Sequence, residues 1–278
     1  MPEGDDKLID KLKADRRPVT VDGQVFYRVE GDLLLDEDQL EIYAGQLEAA
    51  QQMRELARKA SEEGFGLTGI AEPASPELVG ISQGGKTVRW KPGLVLTYRV
   101  VRETYVDPIN YEVVVANMRQ ATAEWEATCG VRFEHRQDLD DRPGIQPEGA
   151  LFTVREIDTG GEFIAAAFFP NEPISRRRVL IDPSYYDQNL GFDKVGVLRH
   201  ELGHLLGFRH EHIRSGAPPA CKGESLFNVV DLTEYDPQSV MHYFCGGVGS
   251  RDLKITDVDR AGAQKLYGPS LAGFRLIE

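Results

Sequence analysis

The residues from His200 to His212, HELGHLLGFRHEH, have types and spacings that suit a metal ion. Side chains four positions apart on a helix are separated by only about 40° of rotation and about 6 Å of rise, so His200 and His204 can share one ion. A zinc ion with three protein ligands keeps a fourth position for water, and a nearby carboxylate can take the proton of that water. Glu201, next to the first histidine, is the expected general base.

The third ligand requires the helix to end. On a continuous helix His210 would lie about 240° round and about 9 Å beyond His204, too far to bind the same ion. Gly207 is where the chain can turn, because glycine accepts a positive φ without a side-chain penalty. The motif therefore predicts one catalytic zinc ion on His200, His204 and His210. HExxH alone also occurs in ordinary surface helices, but the glycine and third histidine at fixed offsets argue against coincidence.

A second segment, SVMHY at residues 239–243, strengthens this interpretation. HExxHxxGxxH followed by a methionine turn is the signature of the metzincins, and the two segments together resemble the astacin family of metallopeptidases. The resemblance implies a zinc endopeptidase in which Met241 lies beneath the metal as a packing floor. It also implies that Tyr243 is a switchable metal ligand that stabilises the oxyanion, and that Glu211 binds the mature N-terminus. The alternatives are a core aromatic for Tyr243 and a solvated charge for Glu211.

The resemblance covers Trp90 to about Gly268 and implies an α+β catalytic domain. Its expected parts are a twisted mixed sheet, the zinc-binding helix and a C-terminal helix. A substrate peptide is expected to lie antiparallel to an edge strand within Phe163–Phe169. The implied partners are protein or peptide substrates, and the family resemblance implies a secreted protein.

The cysteines depart from the family pattern. Astacin domains use four cysteines in two bridges, whereas this chain has three. Cys129 has no candidate partner near the C-terminus, and Cys221 could instead bridge to Cys245. We therefore expect a distant bacterial-type relative of the family. Three cysteines are too few to indicate whether the protein functions in an oxidising or a reducing compartment.

Composition limits the remaining function classes. The net charge of −13 argues against nucleic-acid binding, which needs a basic surface, and otherwise favours solubility. The sequence contains no run of about 18 apolar residues, so we expect no membrane span. The first ten residues, MPEGDDKLID, are acidic and polar and do not resemble a signal peptide.

Charge and composition divide the chain after residue 85. The first 85 residues carry 18 acidic and 9 basic side chains, a net charge of −9, which leaves −4 for residues 86–278. We expect residues 1–85 to be an inhibitory prosegment with a linker, and residues 86–278 to be the catalytic domain. Hydrophobic periodicity and turn residues predict extended segments at 19–36, 94–101, 131–135 and 151–154, helices at 37–63, 110–128, 195–206 and 256–266, and a linker at 64–87.

A prosegment must offer a ligand for the open zinc position. Residues 1–85 contain no cysteine and no histidine, so carboxylates remain. VEGDL, residues 29–33, resembles the astacin prosegment motif in which an aspartate after glycine binds the zinc. Asp32 is therefore the candidate latency ligand and Glu30 the second choice, although Gly31-Asp32 could also be a simple hairpin turn. Activation would then follow cleavage within 64–89, where Lys86 and Arg89 offer tryptic-type sites.

Three other functions fit parts of the sequence. One is a catalytically idle metzincin fold used as a binding module, which loss of the glutamate would indicate, whereas Glu201 is present. Another is a thermolysin-like peptidase with a downstream glutamate as third ligand, which His210 makes unnecessary. The last is that residues 1–85 form a stable recognition domain.

Overall fold

The structure is a computed structural model that describes residues 8–62, 79–146, 149–213 and 229–273. Across these ranges, no helix combines the length and the apolar character needed to cross a membrane. The described residues form the helices α1 (Leu8–Ala14), α2 (Glu37–Glu62), α3 (Pro108–Thr128), α4 (Lys194–Leu205) and α5 (Asp257–Tyr267), and the strands β1 (Pro18–Val21), β2 (Gln24–Val29), β3 (Leu33–Leu35), β4 (Val79–Gln83), β5 (Lys86–Thr87), β6 (Val95–Val100), β7 (Arg132–His135), β8 (Phe152–Glu156), β9 (Ala165–Ala166), β10 (Arg178–Ile181) and β11 (Val229–Asp231).

The main layer is a five-stranded mixed sheet in the order β7-β6-β8-β10-β9. Its strands are parallel except β9, which pairs antiparallel with β10 at the edge. Helices α3 and α4 pack against each other, and Trp125 and Leu202 from these helices share one buried core with Val154, Val179 and Ile181 of the sheet. The expected α+β class with a mixed sheet is confirmed.

Local sequence explains where the two central helices begin. Asp107 accepts a hydrogen bond from the Ile109 backbone N–H, and Pro108 occupies the first turn, where no backbone donor is needed. Asp193 caps α4 by accepting from the Gly196 N–H at 2.6 Å. The second of these caps fixes the start of α4, the helix that carries the first two predicted metal ligands.

Helix α5 is tied to the methionine segment through one buried carboxylate. Thr256 and Asp259 form a capping box at its start. The Asp259 carboxylate also accepts from the Ser239 Oγ–H at 2.5 Å and from the Val240 N–H at 2.8 Å. The last helix therefore helps to hold residues 239–243 in place.

The N-terminal segment adds a second sheet, in the antiparallel order β1-β2-β3. Phe26 of this sheet belongs to a buried cluster with Ala166 and Leu180 of the main sheet. Successive side chains on a strand point to opposite faces, so Leu180 faces the N-terminal sheet while its neighbours Val179 and Ile181 face the helices. Strand β10 is therefore covered on both faces.

The predicted linker at 64–87 differs from the structure in its last part. Strands β4 and β5 form an antiparallel hairpin over residues 79–87, and β4 also pairs with β11. The Ile81 N–H donates to the Gly207 carbonyl oxygen at 3.1 Å, beside the predicted metal motif. The short apolar alternation of VGIS was concealed by the surrounding glycine and serine residues. The boundary expected after residue 85 falls inside this hairpin.

The cysteines can be followed in part. Cys129 is a buried free thiol, and Cys245 is disulfide-bonded. Cys221, the predicted partner of Cys245, lies outside the described residues, so this pairing remains a prediction.

Phe26 gives a test of how firmly the two layers are joined. Phe26→Ala should lower the free energy of unfolding by about 3–5 kcal/mol, because a large side chain that is 2% exposed would leave a cavity against the main sheet. Urea unfolding followed by fluorescence measures this. Ile42→Ala, at a position 62% exposed on α2, is the matched control and should change little. Equal losses in both variants would contradict the packing.

Candidate metal centre

Two hydrogen bonds orient the first two histidines. On α4, the Nδ1 atom of His200 lies 2.7 Å from the Val240 carbonyl oxygen, and Nδ1 of His204 lies 2.8 Å from the Phe208 carbonyl oxygen. A carbonyl oxygen only accepts, so both Nδ1 atoms carry the proton and donate. Each neutral ring therefore directs its Nε2 lone pair to the same point, which is the arrangement that metal-binding histidines require.

Gly207 brings the third histidine to that point. Its φ is +96°, which ends α4. The Gly207 N–H donates to the His204 carbonyl at 2.8 Å and the Phe208 N–H donates to the Gly203 carbonyl at 2.9 Å, which is a Schellman ending. The chain then folds back, and the Nε2 atoms of His204 and His210 lie 3.1 Å apart.

Asp32 from the N-terminal segment completes the cluster. Its Oδ2 lies 3.1 Å from His200 Nε2, and its Oδ1 lies 3.2 Å from His210 Nε2 and 3.6 Å from His204 Nε2. Ligand atoms of all four buried residues lie within 4.8 Å of one another. The sequence-predicted ligands and the predicted latency carboxylate are thus brought together.

The electrostatics of this cluster fit a cation. Burial lowers the pKa of His204 to about 4. Burial alone would raise the pKa of Asp32, but the neighbouring His210 and His204 outweigh it and hold that pKa well below its usual range. The two Nε2 lone pairs 3.1 Å apart repel unless a proton or a cation lies between them. Three imidazoles and one carboxylate are the donor set that zinc prefers, so these residues fit a zinc ion.

Glu201 lies beside the cluster, and one of its carboxylate oxygens, Oε2, makes no hydrogen bond to the described residues. The residue is 2% exposed. Burial and the nearby Asp32 carboxylate raise its pKa well above the usual range. A buried carboxylate with a raised pKa beside a metal cluster has the properties of a general base.

Met241 and Tyr243 lie on either side of the cluster. Met241 is fully buried, and a Cβ on Gly203 would come within 2.3 Å of its Sδ, so the methionine packs against α4 between the two histidines. The Tyr243 ring centroid lies 4.4 Å from that of His210, and its hydroxyl donates to the Glu30 carbonyl oxygen at 2.8 Å. The sequence motif suggested Met241 but not Gly203, although a small residue between the two histidines was a visible signal.

Glu30, the second-choice latency carboxylate, has a different contact. Its carboxylate pairs with the Arg209 guanidinium, whose Nη2 is 2.5 Å away, and the Glu30 side chain is fully buried. Its Oε2 is 4.0 Å from Nδ1 of His210 rather than near the Nε2 atoms. Sequence reasoning did not single out Arg209, because one arginine within a histidine motif carries no distinctive pattern.

The residues around the third histidine are structural in this form. Glu211 is buried and its Oε1 accepts from the Asp236 N–H at 3.0 Å. His212 is buried with its ring centroid 4.8 Å from that of Tyr243. The proposed contact of Glu211 with a mature N-terminus remains a prediction.

An open cleft of about 750 Å³ lies beside Glu201. Its walls combine the edge of the main sheet with α4, and it reaches Asp32 and Tyr243. The apolar side chains in its lining are Phe163, Ile164, Phe192, Val197 and Leu253. The cleft therefore has room for an apolar side chain next to the carboxylate.

Part of the chain is similar in sequence to a known protein family. Residues 89–217 match the family model described as matrixin. The dorsal-ventral patterning protein tolloid of Drosophila melanogaster is 28% identical over 144 residues, which are 46% of this chain and 12% of tolloid. The chain thus spans about an eighth of the length of this curated relative. Over this part of its length, the chain is similar to matrixin and to tolloid.

Two solved structures are similar to part of the chain at low sequence identity. One structure of myroilysin has a TM-score of 0.46 and 16% identity, and covers 64% of this chain and 95% of myroilysin. The hatching enzyme zinc-protease HCE-1 of Oryzias latipes, the medaka fish, has a TM-score of 0.38 and 19% identity, and covers 65% of this chain and 94% of the enzyme.

Gly207 allows a test of the metal geometry. Gly207→Ala should reduce zinc retention and lower thermal stability, because alanine is strained at φ +96° and its Cβ would lie 3.0 Å from the Val88 carbonyl oxygen. Backbone strain of this kind costs about 1–3 kcal/mol. Zinc content after dialysis against a chelator is the measurement.

Gly93→Ala is the matched control for this substitution. Gly93 has φ +79° but open space around its Cβ position, so its variant carries similar strain away from the histidines. Zinc retention that falls equally in both variants would contradict the role given to Gly207.

Proposed function

We propose that the chain is a zinc-dependent endopeptidase, made in a latent form that Asp32 blocks. The observation that carries this proposal is the convergence of three histidine Nε2 atoms beside the buried Glu201 carboxylate. His200, His204 and His210 would hold the ion. Zinc in such a site supplies Lewis acidity, which polarises a carbonyl group and lowers the pKa of water toward neutrality.

Glu201 would move the proton of the reaction. A carboxylate whose pKa is raised by burial accepts a proton from water near neutral pH and then donates it to the departing nitrogen. The cleft beside it would hold the peptide, with the edge strand β9 pairing with the substrate backbone. Its apolar lining would exclude water around the reacting groups.

Tyr243 would support the negative charge that develops on the carbonyl oxygen. In this form its hydroxyl donates to the carbonyl oxygen of Glu30, which is a peptide carbonyl like that of a substrate. A donor aimed at the oxyanion stabilises the transition state more than the substrate. The contact with Glu30 supports this role and also indicates that the tyrosine is engaged by the N-terminal segment.

Latency would come from the segment Glu30-Gly31-Asp32. Asp32 contributes its carboxylate to the metal cluster, and Gly31 packs so closely on Tyr243 that a Cβ there would lie 2.5 Å from the hydroxyl. A substrate could not occupy the same space. We therefore propose residues 1–85 as the inhibitory prosegment and residues 86–278 as the catalytic domain, with protein or peptide substrates met outside the cell after cleavage within 64–89.

Glu201→Ala separates catalysis from metal binding. The variant should retain zinc but lose peptidase activity by a factor of about 10³ or more, because no other carboxylate replaces the base. The assay is hydrolysis of a denatured protein after the N-terminal segment has been cleaved from the folded chain. Bound zinc with no activity in either the parent or the variant would instead favour the metzincin-fold binding module.

Asp32→Ala tests latency in the intact chain. Peptidase activity of the uncleaved, zinc-loaded variant should rise at least about tenfold over the parent, because the carboxylate no longer competes for the metal. Glu48→Ala removes an exposed carboxylate on α2 and is the matched control. If the Asp32 variant is no more active than the parent at equal zinc content, Asp32 is not the latency ligand.

A further inference from the structure

Away from the metal, one carboxylate of the N-terminal segment is held by two buried arginines. Asp22 accepts from Nη1 and Nη2 of Arg155 at 2.7 and 2.5 Å, and from Nη1 of Arg178 at 3.3 Å. The two arginine side chains are only 6% and 10% exposed. The Arg155 contact is bidentate, which is the geometry that guanidinium groups use to recognise carboxylates.

The two arginines come from neighbouring strands of the main sheet. Arg178 on β10 pairs in register with Thr153 on β8, two residues before Arg155, so both guanidinium groups lie on the outer face, opposite α3 and α4. Burial, together with the charge of Arg155, lowers the pKa of Arg178 to about 10. Nε of Arg155 is buried and has no hydrogen-bond partner among the described residues. Two adjacent buried cations of this kind require an anion.

The anion is delivered by the tip of a hairpin. Val21 pairs with Gln24, so Asp22 and Gly23 form a two-residue turn. Their φ values of +55° and +77° are those of a type I′ turn, where asparagine is as suitable as aspartate. The turn itself therefore does not require a charged residue at this position. The contacts with Arg155 and Arg178 account for the charge of Asp22.

An apolar site adjoins the two arginines. The Phe26 ring lies 4.9 Å from the guanidinium carbon of Arg178 and 5.9 Å from that of Arg176. It packs in one buried cluster with Ala166 and Leu180. The surface thus binds a carboxylate and an aromatic side chain four residues further along the same chain, a combination that a polypeptide has and a free anion lacks.

We propose that Arg155 and Arg178 form a carboxylate-binding exosite for acidic polypeptide substrates, which Asp22 occupies until the N-terminal segment is released. The exosite rests on the proposed peptidase function, since it selects what the cleft receives. Asp22 and Asp32 belong to the same segment, ten residues apart, so a single polypeptide can reach the exosite and the metal centre together. The substrate would place an acidic residue, with an aromatic residue near it, about ten residues from the bond that is cleaved.

The first test measures substrate preference. The zinc-loaded chain is cleaved between the segments after folding and washed at high ionic strength, which weakens ion pairs. Two series of peptides share one cleaved sequence. In the first series the extension VDGQVF, or its Asp→Asn form, lies about ten residues before the cleaved bond, and in the second it lies about ten residues after that bond. The parent should show a kcat/KM about tenfold higher for the aspartate form in one of the two series, mainly through KM.

Arginine variants assign that preference. In Arg155→Gln and Arg178→Gln, the ratio of the two kcat/KM values should fall to about one. Arg132→Gln, at an exposed position on β7 at the far edge of the sheet, should keep the parent's ratio. No preference in the parent, or a preference that persists in both variants, would overturn the exosite.

A second readout does not depend on catalysis. A fluorescent peptide of residues 18–29 is titrated into the cleaved Glu201→Ala protein, and its Asp22→Asn form should bind about tenfold more weakly. That difference should vanish with Arg155→Gln. Binding of inorganic phosphate as tight as that of the peptide would overturn the polypeptide assignment. If the parent hydrolyses nothing while this difference persists, the peptidase proposal fails and the carboxylate site stands.

In the uncleaved chain, Asp22→Asn retains a residue suited to the turn but removes the charge. Limited proteolysis should then remove the N-terminal segment several-fold faster than in the parent, and Arg155→Gln combined with it should add little further acceleration. Unchanged proteolysis in Asp22→Asn would show that the arginines do not hold the segment.

Discussion

The rest of the structure depends on the close approach of three buried imidazole rings, those of His200, His204 and His210. The Nε2 atoms of His204 and His210 are 3.1 Å apart, and a contact this short between two imidazole nitrogens needs a proton or a cation between them. Much of the structure serves this constraint. Helix α4 sets two rings one turn apart, the positive φ of Gly207 returns the chain to supply the third, and two carbonyl oxygens fix the tautomers of His200 and His204.

Residues outside the cluster also help to hold the three histidines in position. Gly203 leaves room for Met241 against α4, and the Asp259 carboxylate joins the methionine segment to α5. The carbonyl of Val240, which orients His200, is therefore positioned by a helix that begins near the end of the chain. Packing, capping and metal geometry form one connected network, so a change in any of these parts alters the direction of a histidine ring.

The three histidines could be grouped from the sequence because they lie close together along the chain. HELGHLLGFRH contains the last part of α4, the glycine that ends it and all three histidines within eleven residues, and hydrogen bonds between near neighbours decide how it folds. Strands β1, β2 and β3 and the helices α2 and α3 also followed from alternation and periodicity. The start of α5 also followed from a local pattern, because Thr256 is its N-cap.

Contacts between distant segments were not predictable in the same way. Strand β4 is short and lies among glycines, and besides its neighbour β5 it pairs with β11 and with Phe208, both more than 100 positions away. The pairing of Glu30 with Arg209 and of Asp22 with Arg155 depends on how two sheets are stacked, which no local pattern encodes. The resemblance singled out the aspartate of VEGDL, with the glutamate as second choice, whereas the contact of that glutamate with Arg209 is visible only in the fold.

The order of these residues along the chain also has a consequence for biosynthesis. Asp32 precedes His200 by 168 positions, and a ribosome that adds about 5–20 residues per second needs roughly 10–30 s to cover that distance. The carboxylate and its sheet are therefore already outside the ribosome when the first histidine is made. The segment that covers the metal site is therefore always synthesised before the site itself is complete.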